Sequence, residues 1–175
     1  DDGYNPTNTL RILDVLRKYR VNATFFVTGR AVELFPAVWR EVAGAGFPIG
    51  DHTYDHHDLK GLCFHAQLRE LTRQADVLRD ALGTGPVALM RPPYGARDRV
   101  TTLAAAAAGD EAIVTWDVDT RDWSGIGAAA IARRALAGGK GSIVLMHTLY
   151  WTTASALPRI IAGYRARGFT FVTVG

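Results

Sequence analysis

The sequence predicts an α/β fold in which parallel strands alternate with helices and close into a barrel. Short apolar segments rich in β-branched and aromatic residues recur along the chain, and segments with a helical period of apolar residues separate them. No polar linker is long enough to divide the chain, so its 175 residues are expected to form one domain, 1–175. Six strands are visible, and Asp1 and Asp2 would directly follow a seventh, so we expect the sequence given to be truncated at its N-terminus.

The expected strands are short buried segments at 23–29, 47–50, 87–91, 112–119, 142–147 and 169–174. The expected helices carry apolar residues three or four positions apart, at 7–19, 31–45, 64–82, 98–108, 127–137 and 152–167. Thr7 or Asn8 is a suitable N-cap for the first helix, and Gly83 ends the longest one.

Polar residues with useful chemistry follow these strands, at the ends that meet at one rim when strands are parallel. They are His52, His56, Arg91, Asp119, Asp122 and His147. Asp1 and Asp2 obey the same rule if a strand precedes them. The sequence therefore predicts that the functional site lies at this rim.

His52 and His56 are four residues apart, which would place both imidazoles on one side of a helical turn, close enough to share a divalent cation. A catalytic cation needs a third ligand and an open position for water, and carboxylates at the same rim are the candidates. Adjacent side chains on an extended segment point in different directions, so one of Asp1 and Asp2 can bind the cation while the other acts as a base. Asp-Asp-Gly is also a common turn sequence, so both interpretations stay open for the pair.

Two further segments carry candidate catalytic groups. The prolines that follow Arg91 form a rigid corner, which can hold the guanidinium against a carboxylate and direct a backbone N–H at a developing oxyanion. His147 follows an apolar run, and Asp119 or Asp122 can fix its tautomer and make it an acid near neutral pH. A lone histidine here can equally be structural, and Trp123 suits either stacking on a sugar or burial in the core.

Composition excludes several other classes. The net charge of +3 is dispersed among acidic residues without a basic patch, which argues against a nucleic-acid partner. The single cysteine, Cys63, excludes an internal disulfide and a cysteine-rich zinc site. No apolar run reaches the roughly 18–20 residues of a membrane-spanning helix.

Five segments, taken in order, resemble the polysaccharide deacetylases with a NodB homology domain, carbohydrate esterase family 4. The segments are DDG at 1–3, HTYDH at 52–56, RPPY at 91–94, DTRDW at 119–123 and LMH at 145–147. They are similar to the family's Asp-Asp, His-(Ser/Thr)-x-x-His, Arg-x-Pro-Tyr, Asp-x-x-Asp-Trp and Leu-x-His motifs. The resemblance implies a deformed (β/α) barrel of about seven strands, in agreement with the strand count above.

The resemblance also implies a metal centre. Asp2, His52 and His56 would hold a divalent metal, Zn²⁺ by preference and Co²⁺ as the alternative. Asp1 would be the general base toward the attacking water, and Arg91 would pair with Asp1 and keep it ionised. His57 follows the histidine pair where the family usually has serine or proline, and two histidines with one carboxylate already complete a catalytic ligand set.

The remaining catalytic roles follow from the same resemblance. The backbone N–H of Tyr94 would help to stabilise the oxyanion, and Tyr94 would line the substrate site. His147 would protonate the departing amine, with Asp122 rather than Asp119 as the carboxylate that orients it.

The implied substrate is an acetylated glycan. Leu145 and Trp123 would line the pocket for the acetyl methyl group, and Thr148 and Trp151 would shape a neighbouring subsite. The expected reaction is removal of N-acetyl groups from N-acetylglucosamine units of peptidoglycan, chitin or a related polysaccharide. The alternatives are an O-deacetylase of acetylxylan and a non-catalytic glycan-binding module. The resemblance further implies a monomer that works outside the cell or in its envelope.

Overall fold

Helices and short parallel strands alternate along residues 1–174, which the computed structural model describes. These residues form two compact units. The central unit comprises Asp2 and Thr24–Thr115, and the terminal unit comprises Asp1, Gly3–Ala23 and Trp116–Val174. Gly175, the last residue of the predicted domain 1–175, lies outside the described residues, and the single domain stays a prediction.

The described residues contain seven α-helices and six strands, joined by turns and loops. The helices are α1 (Pro6–Tyr19), α2 (Gly29–Leu34), α3 (Pro36–Gly44), α4 (Phe64–Leu82), α5 (Arg99–Ala108), α6 (Ala128–Ala135) and α7 (Trp151–Ala166). The strands are β1 (Phe25–Val27), β2 (Ile49–Asp51), β3 (Leu89–Met90), β4 (Ala112–Ile113), β5 (Val118–Asp119) and β6 (Val144–Leu145). None of these helices is both long and apolar enough to cross a membrane.

The central unit contains a parallel sheet with the strand order β1-β2-β3-β4. Asp2 forms a parallel bridge with Val27, and its N–H donates to the Phe26 carbonyl oxygen over 3.0 Å. Asp2 therefore occupies the position beside β1 at which the predicted first strand would end. Helices α4 and α5 pack on this sheet around a core that consists of Leu59, Leu71, Met90, Ala104 and Ala105.

Gly50 allows β2 to lie close to its neighbours in the sheet. A Cβ atom at this position would lie 2.7 Å from Phe26 Cε1 and 2.8 Å from the Leu89 carbonyl oxygen. Real Cβ atoms do not approach other atoms so closely, so only glycine fits here. The close approach matters because β2 leads directly into His52.

The terminal unit contains the parallel pair β5 and β6, with Val118 opposite Val144 and Asp119 opposite Leu145. Helices α1 and α6 both pack against α7. The core of this unit consists of Ile131, Ala132, Ala135, Ala156, Ile160 and Tyr164. All six of these residues lie on α6 and α7, so packing between helices provides the core beside the two-stranded sheet.

The predicted alternation of parallel strands and helices is correct, but several boundaries differ. The strand expected at 112–119 is two strands, because Val114 N–H donates to the β3 residue Met90 whereas Val118 N–H donates to Ile143. The helix expected at 31–45 is interrupted at Pro36, which has no N–H to donate and begins α3 instead. The strand expected at 169–174 is not formed in the described residues.

The first helix also begins differently from the prediction. Asn5 is its N-cap, since the Asn5 side chain accepts a hydrogen bond from Asn8 N–H and Pro6 occupies the first helical position. The prediction of Thr7 or Asn8 as the cap is wrong because a proline at the start of a helix moves the cap to the residue before it. In residues 1–174 the strand ladders form a four-stranded and a two-stranded sheet and no closed ring.

Candidate active site

Asp2, His52 and His56 form a group in the central unit that could hold a metal ion. The Nε2 atoms of both histidines lie 3.4 Å from Oδ1 of Asp2, and the three ligand atoms lie within 4.8 Å of one another. The two imidazole centroids are 4.9 Å apart. The structure thus brings together the three residues that the sequence proposed as ligands, and their role as metal ligands stays a prediction.

The donor set fits a tetrahedral zinc ion. Zinc bonds of about 2.0–2.1 Å to nitrogen and oxygen place two ligand atoms roughly 3.3–3.4 Å apart. The two distances of 3.4 Å match this value and exceed the roughly 2.7–2.9 Å of a charge-assisted hydrogen bond. Two imidazoles and one carboxylate leave the fourth position open, as catalytic zinc sites require.

His52 is held in one orientation by the backbone of Arg91, the residue that directly follows β3. Its Nδ1 lies 2.6 Å from the Arg91 carbonyl oxygen, which can only accept, so Nδ1 donates and Nε2 keeps its lone pair toward Asp2. Burial lowers the pKa of His52 and outweighs the neighbouring Asp2 carboxylate, which raises it. The net lowering of the pKa favours the neutral form of the imidazole, which is the form that ligates metals.

The loop that carries the two histidines is not helical, so the prediction of a helical turn is wrong. Thr53 and His56 have φ angles of 65° and 62°, in the left-handed region that residues other than glycine rarely adopt. Two hydrogen bonds hold this conformation: Thr53 N–H donates to Asp51 Oδ1 over 2.7 Å, and His56 N–H donates to Thr53 Oγ1 over 3.0 Å. Local hydrogen bonds to side chains, and not a helical turn, thus direct both imidazoles toward Asp2.

In the terminal unit, Asp122 and His147 form a hydrogen-bonded pair. Asp122 is fully buried and accepts three hydrogen bonds, from His147 Nδ1 at 2.7 Å, His147 N–H at 2.7 Å and Thr153 Oγ1 at 2.6 Å. Burial by itself raises the pKa of the Asp122 carboxyl, but the bonds from His147 and Thr153 lower it below its usual value overall. The Asp122 carboxylate therefore holds His147 with Nδ1 protonated.

Asp119 forms a hydrogen bond of its own in the same turn. Its Oδ1 accepts from the N–H of Arg121 over 2.8 Å and closes the exposed turn that follows β5. The sequence left Asp119 and Asp122 as alternatives, and the structure brings Asp122 to the histidine.

Asp1 is anchored on both sides of His147. The backbone nitrogen of Asp1 donates to the Met146 carbonyl oxygen over 2.8 Å, and the Asp1 carbonyl accepts from the N–H and the hydroxyl of Thr148, each over 3.1 Å. Thr148 is buried and fastens the Asp1 segment through these two bonds, and its role in a substrate subsite stays a prediction. The adjacent residues Asp1 and Asp2 belong to different units, Asp1 to the terminal unit and Asp2 to the central unit.

Arg91 and Tyr94 flank the rigid corner after β3. Arg91 is buried, with its guanidinium carbon 4.2 Å from the Phe26 ring centroid and its Nε donating to the Val114 carbonyl oxygen over 3.4 Å. Burial lowers the pKa of Arg91 to about 10, which still leaves it cationic at neutral pH. Tyr94 is exposed, has a φ of 60°, and lies with its ring centroid 4.8 Å from that of His56. The pairing of Arg91 with Asp1 stays a prediction.

The two residues expected at the acetyl pocket differ in exposure. Leu145 is buried in β6, and its carbonyl oxygen accepts from the Thr120 hydroxyl over 2.8 Å. Trp123 lies in the 3₁₀ turn Asp122–Ser124 and is 50% exposed. Trp151, at the start of α7, is 63% exposed. Large exposed aromatic surfaces are available for contact with a ligand.

Two residues that support candidate groups, one in each unit, were not found from the sequence. Thr153 bonds Asp122, and Glu70 bonds the backbone of the histidine loop at Asp55 over 3.0 Å. Both lie on helices whose apolar periodicity predicted only their secondary structure, and no local signal marks either of them.

Comparison with known proteins identifies the family. The model of the polysaccharide deacetylase family matches residues 1–113, which is more than half of the chain. The chain therefore belongs to the polysaccharide deacetylase family, as the five sequence segments indicated.

Individual relatives are consistent with this assignment. The chain is 34% identical to the peptidoglycan-N-acetylglucosamine deacetylase PgdA of Listeria monocytogenes, over 99% of this chain and 36% of that protein. It thus spans about a third of the length of that relative. It is 36% identical to a chitooligosaccharide deacetylase of Sinorhizobium fredii, over 97% of this chain and 85% of that protein.

Solved structures confirm the predicted fold class. A family 4 carbohydrate esterase from Streptomyces lividans in complex with acetate superposes with a TM-score of 0.93 and 30% identity, covering 100% of this chain and 90% of that one. The α/β fold predicted for this family is therefore correct, although the strand ladders of residues 1–174 do not close into a ring.

Proposed function

We propose that this chain is the catalytic domain of a metal-dependent deacetylase, which hydrolyses the N-acetyl group of N-acetylglucosamine units in a polysaccharide. The observation that carries the proposal is the ligand set of Asp2, His52 and His56, in which both imidazole nitrogens lie 3.4 Å from one carboxylate oxygen. Membership of the polysaccharide deacetylase family supports the same reaction.

Three residues would hold the metal ion, and a fourth acts on the attacking water. Asp2, His52 and His56 are the residues that would hold the ion, with Zn²⁺ preferred and Co²⁺ as the alternative. When bound, a divalent cation polarises the acetyl carbonyl and lowers the pKa of a water molecule. In our proposal Asp1 accepts a proton from the attacking water as general base.

The other residues stabilise charge and transfer a proton to the leaving group. The backbone N–H of Tyr94 donates to the oxyanion as it develops, and Arg91 supplies a buried positive charge that favours ionised carboxylates. His147, held through Nδ1 by Asp122, donates its Nε2 proton to the amine nitrogen as the carbon–nitrogen bond breaks. The products are acetate and a free amine on the sugar.

The proposed substrate is peptidoglycan, chitin or a related glycan. N-acetylglucosamine is the unit shared by the substrates in the names of the Listeria and Sinorhizobium relatives. Trp123 offers an exposed aromatic face for a sugar, with Leu145 beside the acetyl methyl group. Because such glycans lie outside the cytoplasm, we also propose that the chain acts at the cell envelope or outside the cell.

The test is acetate release by chelator-treated protein before and after addition of Zn²⁺ or Co²⁺. Substrates are N-acetylglucosamine oligomers, peptidoglycan and acetylxylan, and bound metal is measured on the same samples. We expect metal-dependent acetate release from the N-acetylglucosamine substrates. Faster release from acetylxylan would replace the proposed substrate with an O-acetylated one, and release from no acetylated glycan by metal-loaded protein would refute the proposal.

A further inference from the structure

We propose that the central unit carries a second divalent-cation site, formed by Asp55, His57 and Glu70. Asp55 and His57 lie on either side of His56 in the loop between β2 and α4, and Glu70 lies on α4. The site shares no residue with Asp2, His52 and His56, and it does not depend on the function proposed above.

The ligand atoms of these three residues are already close together. They lie within 4.8 Å of one another, and His57 Nδ1 is 3.5 Å from Glu70 Oε1. That separation is near the roughly 3.3–3.4 Å expected for two ligands of one tetrahedral ion. The arrangement therefore needs only a small adjustment to bind a cation.

The carboxylate of Glu70 is positioned by the protein and not by a cation. Its Oε2 accepts from the backbone N–H of Asp55 over 3.0 Å, which ties the loop to α4 and leaves Oε1 facing His57. His56 lies between the two loop ligands in the chain and has a φ of 62°, in the left-handed region. This conformation lets His56 face Asp2 while Asp55 and His57 face Glu70. Preorganised ligands lower the conformational cost of binding.

One interaction competes with a cation at this site. Arg30 Nη1 lies 3.4 Å from Asp55 Oδ1, and its side chain is 62% exposed. Exposed ion pairs of this kind contribute little to stability, so a divalent ion can displace the guanidinium. The two carboxylates balance the charge of such an ion.

The donor set selects the class of metal. One imidazole with two carboxylates suits Zn²⁺, Co²⁺ or Ni²⁺, whereas Ca²⁺ and Mg²⁺ prefer oxygen ligands alone. The side chain of His57 is 61% exposed and that of Glu70 is 16% exposed, so water competes for the ion more than at the buried His52. We therefore expect this site to bind Zn²⁺ more weakly than the first.

The experiment counts zinc equivalents by equilibrium dialysis and elemental analysis of chelator-treated protein. The variants are His57→Gln and Glu70→Gln, and the matched control is His65→Gln, which removes an exposed histidine of α4 outside both ligand sets. In Glu70→Gln the amide oxygen can still accept from Asp55 N–H, so the loop keeps its tie to the helix.

We expect two equivalents for the unsubstituted protein and for His65→Gln, and one for His57→Gln and Glu70→Gln. A variant with both His52→Ala and His56→Ala should keep one weakly bound equivalent. A zinc count for His57→Gln equal to that of the unsubstituted protein at saturating zinc would overturn the proposal, whatever the occupancy of the first site. This result does not depend on acetate release, so the second site and the proposed activity fail separately.

Discussion

Replacement of Asp122 by Asn tests the proposed acid most directly. The Asn amide oxygen can keep the bonds from His147 N–H and Thr153, but its NH₂ group then faces His147 Nδ1, where the carboxylate now accepts over 2.7 Å. Two donors cannot bond each other, so the imidazolium loses its partner and the opposite neutral tautomer is favoured. Burial of Asp122 excludes water as a substitute acceptor.

The magnitude follows from the bonds that change. A hydrogen bond to a charged group contributes about 1.5–3 kcal/mol, and placing two donors face to face adds a penalty of similar size. A total of about 3–6 kcal/mol corresponds to a decrease of roughly 10²–10⁴-fold in kcat. General acid catalysis by one positioned side chain is worth the same range.

The assay is the steady-state rate of acetate release from an N-acetylglucosamine oligomer, with zinc content measured in parallel. Asp119→Asn is the matched control, because Asp119 is a partly exposed neighbour whose bond to Arg121 N–H an Asn oxygen can keep. We expect Asp119→Asn to be close to the unsubstituted protein. A rate for Asp122→Asn within a few-fold of the unsubstituted protein, or an equal loss in Asp119→Asn, would refute the role of Asp122.

Three further predictions concern the metal, the stability and the substrate. Asp2→Asn should lose bound zinc together with activity, whereas Asp1→Asn should lose activity and keep its zinc; the reverse pattern in elemental analysis would mean that the two roles are exchanged. Burial raises the pKa of Asp110 from the ordinary 3.8 to about 6, so between these pH values the folded state keeps a proton that the unfolded chain has released. The stability that this proton contributes is fully present below about pH 4 and is lost as the pH rises through 6. Asp110→Asn should then raise the free energy of unfolding at pH 7 by about 1–2 kcal/mol after allowance for solvent, and urea denaturation showing no gain would contradict this. Trp123 is 50% exposed, so Trp123→Ala should raise KM for oligosaccharides with little change in the melting temperature, and an unchanged KM would exclude contact with the glycan.

The order of strands and helices could be predicted because apolar periodicity is a local property. The helix Phe64–Leu82 has the predicted boundaries, with Gly83 as its C-cap in the left-handed conformation. Predictions became inaccurate where distant hydrogen bonds decide the outcome. Residues 112–119 look like one strand by composition, yet Met90 and Ile143 bond its two ends separately.

The site shows the same division between local and distant effects. The sequence by itself determined the donor types, since Asp2, His52, His56 and His147 are the residues with metal-binding or acid chemistry that follow strands. Residue spacing alone left Asp119 and Asp122 as alternatives and only the resemblance favoured Asp122; the tertiary structure brings Asp122 to His147, because the turn after β5 buries that carboxylate. It also replaced the expected helical turn with a left-handed loop at Thr53, and brought Glu70 beside Asp55 and His57. Contacts between residues far apart in the chain depend on how helices and strands pack, and one local sequence pattern is compatible with several such packings.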